Sequence, residues 1–133
     1  MKLVLGEMMQ ELLVTADDRT GALEIGGVIA GPDFSVPVGP EAKSDICCVV
    51  DTCTRHLPPE DAKRITYEKH LLEARFHCHK MDSGLRGNWP HEIEALNELG
   101  YSVALVPSYP DAGRRCDGGT VYIQDVPVLE SPF

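Results

Sequence analysis

The sequence predicts an α/β fold in which a mostly parallel β-sheet is flanked by helices and followed by a C-terminal β-hairpin. Short apolar runs of strand type alternate along the chain with helical repeats, and each of these runs ends in polar residues. This alternation is typical of a parallel sheet. A length of 133 residues without a linker or an internal repeat fits one domain with a buried core. We therefore expect residues 1–133 to form a single domain.

The first half of the chain predicts three strands and one helix. These elements are a buried strand at 12–14, a helix from 21 to 29, an edge strand at 36–38 and a buried strand at 46–50. Gly31 and Pro32 end the helix. Pro37 restricts the second strand to a sheet edge, because proline has no backbone N–H to give to a central ladder.

The second half predicts two further helices, two strands and a hairpin. These elements are a helix from 58 to about 74, a strand at 74–78, a helix at 90–99, a buried strand at 103–106 and a hairpin at 120–129. Prolines and acids in the first turn favour the start of the helix at 58. Gly100 serves as the C-cap of the helix at 90–99. Residues 111–115 predict a basic loop, and Gln124-Asp125 the turn of the hairpin.

The strongest candidate site is the polar run from Lys80 to Asn88, which lies between a predicted strand and a predicted helix. Open α/β sheets bind ligands at the carboxyl ends of their strands, where a helix N-terminus also attracts anions. Gly84 and Gly87 allow tight turns and a close approach of the backbone to a ligand. The candidates are Lys80 and Arg86 for a carboxylate or phosphate, and Asp82, Ser83 and Asn88 for hydroxyl groups. The alternative is a solvated loop in which Asn88 caps the helix and Arg86 pairs with a nearby acid.

Two more predicted strands end in polar residues, and we expect these residues to lie near the run from Lys80 to Asn88. Asp17 and Asp18 follow the first predicted strand, and residues 51–55 follow the third. The aspartate pair suits three roles: binding Mg²⁺, accepting a proton from a sugar hydroxyl, or hydrogen bonding to hydroxyl groups. The alternative is helix capping by Asp18 or Thr20.

Composition excludes several classes of function. A formal charge of −9 argues against a nucleic-acid partner, because no basic stripe is present to displace phosphate counterions. No apolar stretch approaches membrane length, and the apolar run near the N-terminus, within Met1 to Glu7, is too short for a signal peptide. Five cysteines without a CxxC pair fit reduced thiols, so we expect a cytoplasmic protein.

Metal and nucleotide sites find little support in the residues. In a strand, His77 and His79 face one side and Cys78 the other, so the three do not converge on one ion. We therefore predict no metal site, and we expect His70 to be solvated. The chain also lacks the glycine-rich motif that binds nucleotide phosphates.

Four motifs in order resemble the N-terminal domain of the four-carbon acid sugar kinases. They are A-D-D-R-T-G-A at 16–22, D-T-C-T-R at 51–55, K-M-D-S-G-L-R-G-N at 80–88 and V-P-S-Y-P-D-A-G-R at 106–114. The resemblance continues through the hairpin and so covers nearly the whole chain. The sequence departs from the family pattern at Arg19 and Gly84, where that pattern more often has a hydrophobic residue and a threonine.

The resemblance implies an α/β domain that binds a sugar acid, while a separate C-terminal domain, absent from this sequence, binds the nucleotide. It implies threonate, erythronate or 3-oxo-tetronate types of substrate, with ATP and Mg²⁺ as cofactors. Carried over by position, the catalytic candidates are Asp17 and Asp18, and the substrate-binding candidates are Arg55, Lys80, Asp82, Ser83, Arg86, Gly87, Asn88 and Arg114.

The sequence therefore predicts the substrate-binding part of a sugar-acid kinase. We expect the chain by itself to be inactive, and its partners to be a small sugar acid and either a separate nucleotide-binding chain or a second copy of itself. The alternative is a truncated, non-catalytic module that binds a ligand or a partner chain without turnover.

Overall fold

The computed structural model describes residues 9–132, so the prediction made for Met1 to Glu7 lies outside the described residues. Three helices and seven strands form in the order β1 (Gln10–Ala16), α1 (Arg19–Ile29), β2 (Val38–Gly39), β3 (Cys47–Asp51), α2 (Pro59–His70), β4 (Ala74–Lys80), α3 (Trp89–Glu98), β5 (Arg114–Asp117), β6 (Thr120–Ile123) and β7 (Val126–Pro127). Short 3₁₀ turns lie at Pro110–Ala112 and Val128–Glu130.

The main sheet has the order β2-β3-β1-β4, and all its strands are parallel. Alternate side chains of the central strand β1 point to opposite faces. On one face Val14 packs against Ala22 of α1 and Val49 of β3. On the other face Leu13 packs with Cys48 and Val50, and helices α2 and α3 cover this face together. The predicted fold class is therefore confirmed.

The C-terminal hairpin is also confirmed, and it belongs to a sheet of three antiparallel strands, β5-β6-β7. Ile123 pairs with Val126 across a turn whose central residues, Gln124 and Asp125, both have positive φ. Such a turn matches the right-handed twist of a hairpin. The predicted basic loop is partly wrong, because Arg114 and Arg115 begin β5 and pair with β6.

Two other predicted elements differ from the structure. Helix α2 ends at His70 and not near Ala74, because Ala74 begins β4 and pairs with Gln10 of β1. The predicted buried strand at 103–106 is wrong: these residues are exposed and form no ladder with β4. A cavity of about 460 Å³ is lined by both β4 and this segment.

None of the helices among residues 9–132 is both long enough and apolar enough to cross a bilayer.

Adjacent glycines in α1 provide a test of how closely this helix packs on the sheet. A Cβ atom at Gly26 would lie 2.6 Å from Cγ2 of Val38 in β2, whereas a Cβ at Gly27 would meet no atom within 4 Å. We expect Gly26→Ala to lower the melting temperature, because overpacking typically costs about 1–3 kcal/mol. Gly27→Ala should raise it, since alanine favours a helix over glycine by about 0.8–1 kcal/mol. Equal shifts in thermal melts of the two variants would contradict this packing.

Candidate functional site

The register of the sheet brings three strand ends to one level. Ala16 of β1 pairs with Asp51 of β3 on one side and with Lys80 of β4 on the other. The next residues remain connected, because the backbone N–H of Asp17 donates to the carbonyl oxygen of Lys80 at 3.2 Å. The backbone N–H of Arg55 donates to the carbonyl oxygen of Asp17 at 3.1 Å. The loops after β1, β3 and β4 therefore meet at the carboxyl edge, as the motifs predict.

At the centre of this edge, Arg55 forms a two-pronged contact with Asp17. Its Nε lies 2.9 Å from Asp17 Oδ2, and its Nη2 lies 2.8 Å from Asp17 Oδ1. The same Nη2 lies 2.9 Å from Asp18 Oδ1 and 3.9 Å from Asp82 Oδ1. The hydrogen bonds that Arg55 donates to Asp17, followed by the charges of the three aspartates, raise the pKa of Arg55 despite its burial. Arg55 therefore holds carboxylates from two different loops together.

Asp82 organises the loop after β4. Its carboxylate accepts the backbone N–H groups of Gly84 and Arg86 at 3.1 and 3.2 Å. It also accepts both prongs of the Arg86 guanidinium at 2.8 Å each. Hydrogen bonding from Arg86 lowers the pKa of Asp82 to about 2, although burial opposes the shift. Three aspartates and two arginines thus leave this centre with one net negative charge.

Asp17 and Asp18 differ in how far a ligand can reach them. The side chain of Asp17 is only 2% exposed, and Arg55 engages both of its oxygens. Asp18 is 26% exposed and accepts the backbone N–H of Gly21, so it caps helix α1. The capping alternative for Asp18 is thus correct as a local contact, and Asp18 is also the more accessible acid of the pair.

A cavity of about 330 Å³ opens beside this centre. Lys80, Asp82 and Ser83 line it together with α1 and the segment 106–109. The Lys80 ammonium lies 3.6 Å from Glu24 Oε2 and donates to the carbonyl oxygen of Met81 at 3.0 Å. The ammonium group of Lys80 and the hydroxyl group of Ser83 therefore line the same cavity.

Asn88 and Gly87 hold the loop that carries Arg55. The Asn88 side-chain amide donates to the carbonyl oxygens of Thr54 and Leu57, at 2.8 Å each, and makes no side-chain cap to α3. Gly87 has φ of +92°, and a Cβ there would lie 3.0 Å from Cγ of Arg55. Asn88 and Gly87 therefore both contact the loop after β3.

Arg114 lies on β5 of the small sheet, whereas the other nine predicted site residues lie at or after the ends of strands of the main sheet. It pairs with Ile123, whose Cδ1 would lie 3.8 Å from a Cβ at Gly84, and its guanidinium donates to the carbonyl oxygen of Ala112. The small sheet thus packs near the loop after β4.

A buried polar cluster behind this edge was missed by the sequence reasoning. The expectation that His70 is solvated is wrong, because it is 2% exposed and contacts Thr15 and His77. Glu92 is fully buried against His79. The one available signal was the strand alternation, which places His77 and His79 on the same face.

The described residues do not fit a resident Mg²⁺ site. No group of three or more His, Cys, Asp or Glu side chains within residues 9–132 is arranged to hold a metal ion. The oxygens of Asp17 and Asp82 already accept hydrogen bonds from Arg55 and Arg86.

Comparisons with known proteins agree with this fold and with these motifs. Residues 12–133 match the family described as sugar-binding N-terminal domain. A D-threonate kinase from Cupriavidus necator is 30% identical over 129 residues, covering 90% of this chain and 31% of the relative. A 3-oxo-tetronate kinase from Methylobacterium radiotolerans is 33% identical over 135 residues, covering 89% of this chain and 32% of the relative. The chain thus spans about a third of the length of these curated relatives.

A solved structure shares the fold. It is a domain of unknown function (DUF1537) from Bordetella bronchiseptica, a domain-swapped dimer with bound citrate. It matches with a TM-score of 0.73 and 26% identity, covering 92% of this chain and 36% of that chain. The matched family and the kinase relatives confirm the resemblance found in the motifs: this chain belongs to the sugar-binding N-terminal domain family.

Proposed function

We propose that this chain is the substrate-binding part of an ATP-dependent kinase that phosphorylates a four-carbon sugar acid of the threonate or erythronate type. The observation that carries the proposal is the set of carboxylates that Arg55 holds at the carboxyl edge of the sheet, beside a cavity of about 330 Å³. Pockets for small ligands typically start at about 300 Å³. The names of the two kinase relatives support the substrate class.

In this proposal Lys80 binds the substrate carboxylate, with Arg86 at the rim. Lys80 faces the cavity, and the Arg86 side chain is 53% exposed while it also holds Asp82. Ser83 and Asp18 bind hydroxyl groups, since a serine donates and accepts and an ionised carboxylate accepts. The other predicted residues act by position: Asp17, Asp82, Gly87 and Asn88 shape the loops, and Arg114 lies on the sheet packed beside them.

Asp18 is the acid that we propose to polarise the attacking hydroxyl group. It is accessible, whereas both oxygens of Asp17 are engaged by Arg55. Phosphoryl transfer depends mainly on positioning and on charge neutralisation. ATP with its Mg²⁺ would supply the phosphoryl group from outside the described residues. About two thirds of each kinase relative lies outside the region that matches this chain. We propose that a polypeptide segment corresponding to that region binds the nucleotide.

The solved relative supports two features of the proposal. Its bound citrate is a small carboxylate, as a sugar acid is, and it is described as a domain-swapped dimer. We therefore include a second copy of this chain among the proposed partners, beside a separate nucleotide-binding chain.

The role of Lys80 can be tested against a lysine in a similar setting. Lys80 and Lys69 are 29% and 27% exposed, and each lies near one glutamate, but Lys69 lines a different pocket near Glu41. We expect Lys80→Met to weaken D-threonate binding about tenfold or more, because a hydrogen bond to a charged group contributes about 1.5–3 kcal/mol.

Isothermal titration of wild type, Lys80→Met and Lys69→Met measures this difference. Lys69→Met should bind as wild type does. Equal affinities in all three proteins would remove Lys80 from the site, and an absence of binding by wild type to any four-carbon sugar acid would contradict the proposed function.

The contact between Arg86 and Asp82 predicts a dependence of stability on pH. Because Arg86 holds the pKa of Asp82 at about 2, ionised Asp82 stabilises the fold above its unfolded pKa, near 4, and this contribution is lost as the pH falls towards 2. Arg86→Lys loses the planar fork. We expect it to lower stability near neutral pH, and the difference from wild type should shrink below about pH 4.

A matched control is Arg64→Lys, because Arg64 also contacts an acid four residues away, Glu68, but both side chains are more than half exposed. Exposed pairs of this kind contribute little. Urea denaturation between about pH 3 and pH 7 compares the three proteins. A constant difference across that range would show that the Arg86 contact does not act through the charge of Asp82.

A further inference from the structure

A continuous chain of polar side chains, buried at its inner end and partly buried at its outer end, crosses the face of the sheet that α2 and α3 cover. Its members come from four elements and two loops, and the proposed function assigns a role to none of them. They are Thr15 of β1, Thr54 after β3, His70 of α2, His77 and His79 of β4, Glu92 of α3, and Tyr101 after α3. The buried members need hydrogen-bond partners within the chain, whereas the outer members also line the cavity of about 460 Å³.

The chain begins at Glu92, which is fully buried. Burial alone would raise the pKa of Glu92, but hydrogen bonds from His79 and Thr54 and the charge of Arg55 bring that pKa below its usual value. An ionised carboxylate only accepts hydrogen bonds. His79 Nε2, at 3.1 Å, and the Thr54 hydroxyl therefore both donate to Glu92.

Thr15 connects the next two rings. Its hydroxyl lies 2.7 Å from His79 Nδ1 and 2.9 Å from His70 Nε2, and it has one proton, so it donates to one ring and accepts from the other. Burial, followed by the charges of His79 and His77, lowers the pKa of His70 to about 3, so this ring is neutral near pH 7.

The same kind of contact continues to the outer end. A neutral His70 has one donor and one acceptor, so its contact with His77 Nδ1, at 3.0 Å, runs in the same direction as its contact with Thr15. His77 Nε2 lies 3.0 Å from the Tyr101 hydroxyl. Burial lowers the pKa of His77, which also favours a neutral ring. The hydrogen bonds between Tyr101 and Thr15 therefore run in one common direction.

Glu92 connects this chain to the loop that carries Arg55. The Thr54 hydroxyl, which is fully buried, donates to Glu92 Oε1, and Arg55 is the next residue. The Thr52 hydroxyl lies 2.9 Å from the Thr54 hydroxyl and donates to the carbonyl oxygen of Ala16, so the Thr54 proton is left for Glu92. The contact between Thr54 and Glu92 therefore anchors the loop on α3, in addition to the contacts of Asn88 with the same loop.

We propose that Glu92 is a positioning residue for the sugar-acid site: through Thr54 it holds Arg55 in register with Asp17 and Asp18, and through His79 it anchors the inner end of the histidine chain. The effect on ligand binding rests on the proposed function. The hydrogen positions and the orientation of Arg55 do not, and they can be measured without a ligand.

The test uses variants that remove one hydrogen bond and keep the shape. Thr54→Val removes the hydroxyl, whereas Thr54→Ser keeps it. Glu92→Gln removes the charge, and its control is Glu94→Gln on the same helix, where the side chain is 57% exposed. We expect Thr54→Val and Glu92→Gln to shift the ¹⁵N signal of Arg55 Nε and to weaken D-threonate binding about tenfold or more. Thr54→Ser and Glu94→Gln should resemble wild type in both measurements.

Nitrogen NMR of wild type at roughly pH 8, above the usual pKa of imidazole, reads the hydrogen positions directly. We expect His70 and His77 to carry their protons on different ring nitrogens, Nε2 in one ring and Nδ1 in the other, because their two Nδ1 atoms share one proton. Protons on the same nitrogen in both rings would overturn the common direction. An unchanged Arg55 signal in Thr54→Val would overturn the positioning role, even if Glu92→Gln failed to fold. An absence of D-threonate binding by wild type, with the expected NMR results, would contradict the proposed function alone.

Discussion

The structure of this edge depends on the contact between Arg55 and the two aspartates after β1. The Arg55 side chain is 13% exposed, and a buried charge of this kind is tolerated only when partners surround it. Removing one partner of a buried ion pair typically costs about 3–5 kcal/mol, because the other charge remains uncompensated. Asp17 and Asp18 come from one loop and Arg55 from another, so their contact fixes how the two loops meet. The accessible carboxylate, Asp18, takes its position from that arrangement.

The parallel sheet is what makes this contact possible. Strands β1, β3 and β4 end at the same level, so the residues that follow them emerge together. The neighbouring loops then constrain one another: Asn88 holds the carbonyl oxygens of the loop after β3, and Asp82 closes its own loop around Arg86. Most charged groups at the edge are thus paired within the protein before a ligand arrives. A preorganised site loses less conformational entropy on binding.

The sequence predicted the fold class and the meeting of the loops after β1, β3 and β4, because strand alternation and strand-end motifs are local signals. The predictions were wrong where contacts between residues distant in the sequence determine the structure. The apolar run at 103–106 has the composition of a buried strand, but a strand forms only where a neighbour offers its backbone, and none pairs with it among the described residues. His70 was expected in solvent, since nothing local shows that Thr15 and His77 enclose it. The pairing of Arg86 with Asp82 was foreseen only as an alternative to ligand binding, and whether Arg86 also binds the sugar acid stays a prediction.

The central claim is that the sugar acid binds at the edge that Arg55 organises. Mapping the chemical-shift changes of backbone amides and of Arg55 Nε during a titration with D-threonate tests it most directly. The account predicts changes at Gly21 and Gly84, whose N–H groups donate to Asp18 and Asp82, and at Arg55 itself. Changes confined to the separate pocket lined by Lys69 and residues 40–44, with the Arg55 signal unmoved, would contradict it.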